Sequence, residues 1–194
     1  SSLLAAGRAR LESIRADIGS RGLALYRFQE TGVEWLAPRK RALLSDEMGL
    51  GKTVQALLAL PDRAAAIVVA PASVRYSWAR EILRWRPDLR PVVIASGAQF
   101  RWPRAGEILI STFGILPKEP EGMGLAPGSV TLIADEAHAL KNPKAARTKH
   151  WRALAKLVSD SAGRIWLLTG TPLLNRPPEL WAVLQAAGIA EEAF

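Results

Sequence analysis

Two hydrophobic rhythms divide the chain. In the first, apolar residues return every three or four positions, the period of a helix with one buried face. Leu4, Leu11, Ile14 and Ile18 do so with Arg8, Arg10 and Arg15 between them, which predicts a helix over 3–18 closed by Gly19 and Gly22. Residues 25–36 predict a loop running into a second helix. Val74, Trp78, Ile82 and Trp85 fall on one side of another helix, with Pro71-Ala72-Ser73 as its cap. Helical patterns at 53–60, 144–158 and 178–187 follow, the last opened by Pro177-Pro178 and stopped by Gly188. In the second rhythm, the short unbroken apolar run 66–70 suits a strand buried on both faces, 43–44 is a shorter apolar run, and 92–95, 108–112, 130–134 and 165–168 are further strand candidates. Strands alternating with helices predict an α/β fold, a mostly parallel sheet with helices on both faces. The proline- and glycine-rich stretch 117–127 predicts a flexible surface connection. There are no repeats and no low-complexity tract.

Composition changes this picture in three respects. The length of 194 residues allows one compact domain with a substantial core. The formal net charge of +8 points to a polyanionic partner, most often nucleic acid, against the alternative of a basic but indifferent surface. The absence of cysteine excludes disulfides, thiolate metal sites and a thiol nucleophile. No apolar run approaches the ~20 residues of a membrane helix and no signal peptide is visible, so no membrane partner is expected. The first residue is Ser1 rather than methionine, as in a processed or excised form.

Three stretches carry chemistry. Residues 43–53 read as a strand, a loop ending in Gly51-Lys52-Thr53, and a helix. Backbone N–H groups of such a loop and of the helix start cradle anionic oxygen, and Gly49 and Gly51 let the chain approach a phosphate. Met48 and Leu50 complete the cradle. Lys52 would reach the β- and γ-phosphates and the Thr53 hydroxyl would hold Mg²⁺. Asp46 stands where the strict pattern has its first glycine. The second stretch is Asp135-Glu136-Ala137-His138, directly after an apolar strand. Asp135 suits a place beside Mg²⁺ and Glu136 the handling of an attacking water; alone, such a pair would be an acidic turn. The third, Leu168-Thr169-Gly170-Thr171-Pro172, is another strand ending in hydroxyls and glycine. All three would meet at one edge of the sheet.

Together these stretches resemble the Swi/Snf family of DNA-translocating ATPases within helicase superfamily two. Asp46 is that family's own variant of the loop. Phe28-Gln29 with Gly32 and Trp35 is similar to its adenine-reading Q motif, Val69-Ala70-Pro71-Ala72-Ser73 with Trp78, Glu81 and Trp85 to motif Ia, and Ile110-Ser111-Thr112-Phe113 to motif Ib. The resemblance covers residues 23–187 and is nearest to the annealing-helicase (HepA-related) branch with its bacterial and phage relatives. It implies one RecA-like P-loop NTPase domain, residues 23–194, as the first of two lobes, preceded by an N-terminal helix and linker over 1–22. The second lobe and its arginine are not in this sequence.

The resemblance also implies roles. Gln29 would read the adenine of ATP. His138 would couple the nucleotide site to Thr169, Gly170 and Thr171, with a satisfied histidine beside a carboxylate as the alternative. Pro71, Ser73, Thr112, Lys141 and Asn142 would touch the DNA backbone; Ser73 would also serve as a helix N-cap. Independently, Lys149, Arg152 and Lys156 align at helical spacing, either as a solvated face or as a phosphate track. Trp78, Trp85, Trp151 and Trp181 fall on apolar faces and read as core. The expected function is the ATP-binding lobe of a double-stranded DNA translocase or remodelling ATPase using ATP and Mg²⁺. The partners implied are double-stranded DNA and the second lobe. The place implied is intracellular, in cytoplasm, nucleoid or nucleus. Alternatives are a strand-separating helicase, a restriction-system motor, or a lobe that binds DNA or protein without hydrolysis.

Overall fold

The computed structural model of the chain describes residues 2–121, 128, 130–170 and 177–190. Among the described residues six strands form one parallel sheet: β1 (Arg41–Leu44), β2 (Ala65–Val69), β3 (Arg90–Val93), β4 (Glu107–Ser111), β5 (Val130–Ala134) and β6 (Arg164–Leu168), in the order β1-β6-β5-β2-β4-β3. The helices are α1 (Ser2–Ser20), α2 (Arg27–Leu36), α3 (Lys52–Ala59), α4 (Arg75–Trp85), α5 (Ala146–Asp160) and α6 (Pro177–Ala186). This is the α/β architecture that the alternating pattern predicts. The third-strand run lies two residues earlier than the 92–95 its apolar residues mark, and residues 122–127 of the expected surface connection lie outside the described residues.

Strand side chains alternate between two cores, as the two-residue period of a strand requires. Ala66 and Val68 of β2 face the layer formed by α1, α2, α3 and α4, together with Ile14, Val33, Leu57 and Trp78. Ile67 and Val69 face the opposite layer, with Trp151, Leu154 and Val158 of α5 and Val183 of α6. The central strands β2, β4 and β5 are buried along their whole length. Each large apolar side chain so enclosed contributes about 1.5–3 kcal/mol.

Leu11, Ile14 and Ile18 of α1 join the first core, but Leu4 is exposed. Its turn of the helix is seated instead by Gly7, which packs so closely on α2 that an added Cβ would stand 1.9 Å from the Glu34 carbonyl oxygen. Arg15 forks onto Glu30 at 3.0 and 2.9 Å, and Arg10 donates to the Leu58 carbonyl at the end of α3 at 2.9 Å. Of the four tryptophans read as core, Trp78, Trp85 and Trp151 are buried, whereas Trp181 is 43% exposed. α6 turns Ala182, Val183 and Ala186 inward, and Trp181, one position away, points outward.

Two buried charges brace the end of the sheet away from the candidate site. Arg86 donates to the carbonyls of Leu57, Leu60 and Pro61, the unpaired C-terminus of α3, while its other donors hold Asp88 at 2.8 Å. Glu107, at the start of β4, accepts from Arg101, Arg90 and the Arg104 N–H. The Arg101 hydrogen bond, outweighing desolvation and seconded by Arg90, holds its carboxyl down at about 2.

Candidate active site

Every stretch singled out for chemistry leaves the carboxyl edge of the sheet. β1 ends at Leu44 and the chain enters the loop 45–51, whose Gly49 and Gly51 have φ of 85° and 72°. These left-handed conformations are where a side chain would be strained. Gly51 is also the N-cap of α3 and offers no side-chain cap, so the first N–H groups of that helix are left to a ligand. The Lys52 ammonium lies over its own loop, donating to the carbonyls of Asp46 and Glu47 at 2.8 Å each. Gln29 reaches the same loop from α2. Its carboxamide oxygen accepts the Tyr26 N–H at 3.1 Å, and its nitrogen lies 3.5 Å from the Leu50 carbonyl, directly over Gly51. The helix-start glutamine is therefore also a phosphate-loop neighbour.

Across a cleft of about 380 Å³ from Met48, Gly49 and residues 51–54 stand Asp135, Glu136 and Glu81, while Leu50 faces a different cleft. Asp135 is fixed on three sides. Its N–H donates to the Val69 carbonyl at 2.8 Å, one carboxylate oxygen accepts the Trp78 indole N–H at 2.8 Å, and the other accepts the Glu136 N–H at 3.0 Å. Burial pushes its pKa up; the Trp78 bond opposes this, the neighbouring Glu136 charge adds to it, and Lys52 opposes it weakly. Glu136 stands at φ 53°, an uncommon backbone for a residue with a side chain, which turns it out of line with the strand. Its carboxylate is 3.2 Å from His138 Nδ1, without the alignment of a hydrogen bond. Trp85 donates to Glu81 at 2.9 Å.

Among the described residues the cleft thus sets three carboxylates against one ammonium, a balance suited to a polyanion arriving with a divalent cation. Thr53 and Asp135 line the same cleft. Among the described residues no group of three or more histidines or carboxylates is placed to hold a metal alone. This fits Mg²⁺, which keeps waters and shares phosphate oxygens with one or two carboxylates. A second, more apolar cleft of about 470 Å³ opens on the far side of the loop, between α2 and β1, with Phe28, Trp35 and Leu43 in its wall.

The third stretch closes on the first. The buried Thr169 donates its N–H to the Leu44 carbonyl at 3.1 Å, and Gly170 packs against the loop. A Cβ on Gly170 would come within 2.6 Å of Met48 Cγ and 3.2 Å of Lys52 Nζ. Thr171 lies outside the described residues. His138 sits in a single 3₁₀ turn (Ala137–Leu140) that packs on α6, where Lys141 Nζ lies 3.5 Å from Glu179.

The candidate DNA residues divide. Pro71, Ser73, Thr112, Lys141 and Asn142 follow β2, β4 and β5 at the same edge. Ser73 is exposed but is not a helix cap: residues 72–74 form a 3₁₀ turn, α4 begins only at Arg75, and no side chain caps it. The apolar repeat led the reading one turn too far back, because Val74 packs on the core from the 3₁₀ turn. Asn142 accepts the Lys144 N–H at 3.0 Å in a local turn. Lys149, Arg152 and Lys156 lie along α5, which runs away from this edge. Lys149 is exposed, Arg152 donates to Gln185 at 3.3 Å and Lys156 pairs with Asp160 at 2.7 Å. Sequence reasoning assigned no role to Trp78 beyond packing, nor any to Gln55; the partners that give Trp78 a task lie 57 residues away.

Loop and carboxylates around one cleft of a parallel sheet, with the third stretch packed against the loop, define a RecA-like phosphate-loop domain. The chain belongs to the SNF2-related domain family, whose model matches residues 28–191. It is 40% identical over 183 residues to the SWI/SNF-related matrix-associated actin-dependent regulator of chromatin subfamily A-like protein 1 of Xenopus tropicalis, covering 91% of this chain and 18% of that protein. It is 34% identical over 172 residues to the human DNA annealing helicase and endonuclease ZRANB3, covering 84% and 16%. The chain thus spans less than a fifth of the length of either relative. The Sulfolobus solfataricus SWI2/SNF2 ATPase core in complex with dsDNA has the same fold, with a TM-score of 0.68 at 24% identity over 86% of this chain and 36% of that one.

Proposed function

We propose that this chain is the ATP-binding lobe of an ATP-dependent double-stranded DNA translocase or remodelling ATPase. The observation that carries the reading is the meeting of Met48, Gly49, Gly51, Lys52 and Thr53 with the Asp135-Glu136 pair in one cleft, with Gly170 packed against Met48 and Lys52. In this reading the loop N–H groups and Lys52 bind the β- and γ-phosphates, with Met48, Gly49, Leu50 and Gly51 shaping the cradle. Gln29 meets the adenine. Thr53 and Asp135 hold Mg²⁺, which when bound would neutralise phosphate charge. Trp78 holds the Asp135 carboxylate in place, and Glu136 orients and deprotonates the attacking water. Turned off the strand line, Glu136 faces the cleft rather than the core.

His138, Thr169, Gly170 and Thr171 would carry the state of the nucleotide to the DNA. Pro71, Ser73, Thr112, Lys141 and Asn142 would hold the duplex backbone along the carboxyl edge. A second lobe would supply an arginine to the phosphates from the facing side. The names of the relatives, a chromatin regulator and a DNA annealing helicase, and the dsDNA complex of the structural neighbour support a duplex substrate. Such work places the protein wherever the cell keeps its DNA. No helix among the described residues is long and apolar enough to cross a membrane.

The test is steady-state ATPase activity of the complete polypeptide with double-stranded DNA, single-stranded DNA and none. Stimulation by duplex is expected. Stimulation by single strands alone would favour a strand-separating helicase, and no hydrolysis under any condition would reduce the lobe to a binding module.

A further inference from the structure

The phosphate loop has an internal strut that its own motif does not explain. Gln55, one turn into α3, is wholly buried. Its carboxamide nitrogen donates to Asp46 Oδ2 at 3.1 Å and to the Leu50 carbonyl at 3.1 Å. Both partners are acceptors, so only the NH₂ end of the amide can face them. The side chain therefore ties the first part of the loop to its last residue before Gly51, from behind. Asp46 occupies the place where a loop of this kind usually has glycine, and its carboxylate gives the strut something to hold. The Asp46 carbonyl meanwhile receives Lys52, so this residue is restrained at both ends.

The other end of the amide explains a second residue. Gln55 Oε1 points at α2, where a Cβ on Gly32 would stand 1.7 Å from that oxygen and 2.6 Å from Cδ. A glycine in the middle of a helix is otherwise unfavourable. Here it makes room for the strut. The oxygen has no hydrogen-bond partner among the described residues, so the orientation of the amide is set by its nitrogen.

We propose that Gln55 is a positioning residue: braced against Asp46 and Leu50, and accommodated by Gly32, it holds the loop in its phosphate-binding shape. A loop already ordered does not have to give up conformational freedom when the ligand arrives. The inference rests on the nucleotide reading above.

The experiment measures binding of a fluorescent ATP analogue with Mg²⁺ to the full chain, alongside heat-denaturation midpoints. Gln55→Glu sets a carboxylate against the Asp46 carboxylate and the Leu50 carbonyl, and should weaken binding by about tenfold or more. Adding Asp46→Asn reverses the pair, with the loop now donating to the helix, and should recover at least about threefold of that loss. Asp46→Asn alone should not improve on wild type. Gly32→Ala should reproduce the loss seen with Gln55→Ala, and combining those two should cost no more than either. Gln55→Glu binding within about twofold of wild type, or a loss that Asp46→Asn leaves untouched in a folded protein, overturns the proposal. Absence of binding by wild type would instead remove the nucleotide reading itself, together with anything built on it.

Discussion

Asp135 and Glu136 are adjacent acids with opposite surroundings. Asp135 is half-buried and held by an indole, a backbone N–H and the strand ladder. Glu136 has a side chain 29% exposed and a backbone turned out of the strand. A held carboxylate suits a cation and a freer one suits a water, so the two neutralising substitutions should separate. In the complete polypeptide Glu136→Gln should leave ATP bound while kcat falls about 10²–10⁴-fold. Asp135→Asn should instead weaken binding in a way that depends on Mg²⁺ concentration. Equal turnover in Glu136→Gln and wild type would remove Glu136 from catalysis. Glu107 gives a test at the far end of the sheet. Its carboxyl is held at about 2 against 4.5 for a free one, so it favours the folded state above pH 4.5 and loses that effect as pH falls toward 2. Glu107→Gln should lower the melting midpoint at pH 7, and the gap from wild type should narrow between pH 4.5 and 2. At this scale the motif residues were legible, because phosphate and water chemistry allow few residue types at few spacings. Trp78 as partner of Asp135, and Gln55 as a strut, were not, because each acts through a hydrogen bond that only the fold creates.

α1 lies outside residues 28–191 matched by the family model, yet it crosses both α2 and α3. Gly7 allows two opposing expectations to be weighed. Alanine would favour the helix by about 1 kcal/mol. Its Cβ, however, would sit 1.9 Å from a main-chain oxygen that cannot swing aside, and overpacking of this kind costs about 1–3 kcal/mol. Gly7→Ala should therefore lower the melting midpoint; a rise would mean that α1 does not pack there. On α5, Arg152 and Lys156 already have partners in the chain. If they and Lys149 still form a phosphate track, replacing all three by alanine should reduce the slope of log affinity against log salt by about one per contact. An unchanged slope would leave them a solvated face. The helices were legible wherever one face alone was apolar. The cap of α4 was misread because a 3₁₀ turn and an α-helix place Val74 and Trp78 on the same side. Trp181 was misread because α6 offers apolar residues nearly all round, which blurs the buried stripe.

The whole sheet was legible as a class but not as an order. Apolar runs announce buried strands, and only long-range pairing puts β5 between β2 and β6, beside the strand that carries the phosphate loop's neighbour. With that order the catalytic candidates Lys52, Asp135 and Glu136 share one open cleft. Charge developing on a transferred phosphoryl group needs donors on several sides, and an arginine from a facing lobe is typically worth about 10³–10⁵ in rate. Residues 1–194 by themselves should therefore bind ATP weakly and hydrolyse it near background, with little response to DNA. Robust DNA-stimulated hydrolysis by this chain alone would show that it completes its own site.

The order of the strands also has a mechanical side. Among the described residues β1, which carries the phosphate loop, stands at one end of the sheet with a strand on one flank only, whereas β2, β4 and β5, which carry the candidate DNA residues, are each gripped on both flanks. In a motor built on the proposed contacts, tension from the duplex would enter the stiff middle of the lobe. The phosphate loop would hang from an end strand, able to move as one braced unit with the fuel without being dragged by the cargo.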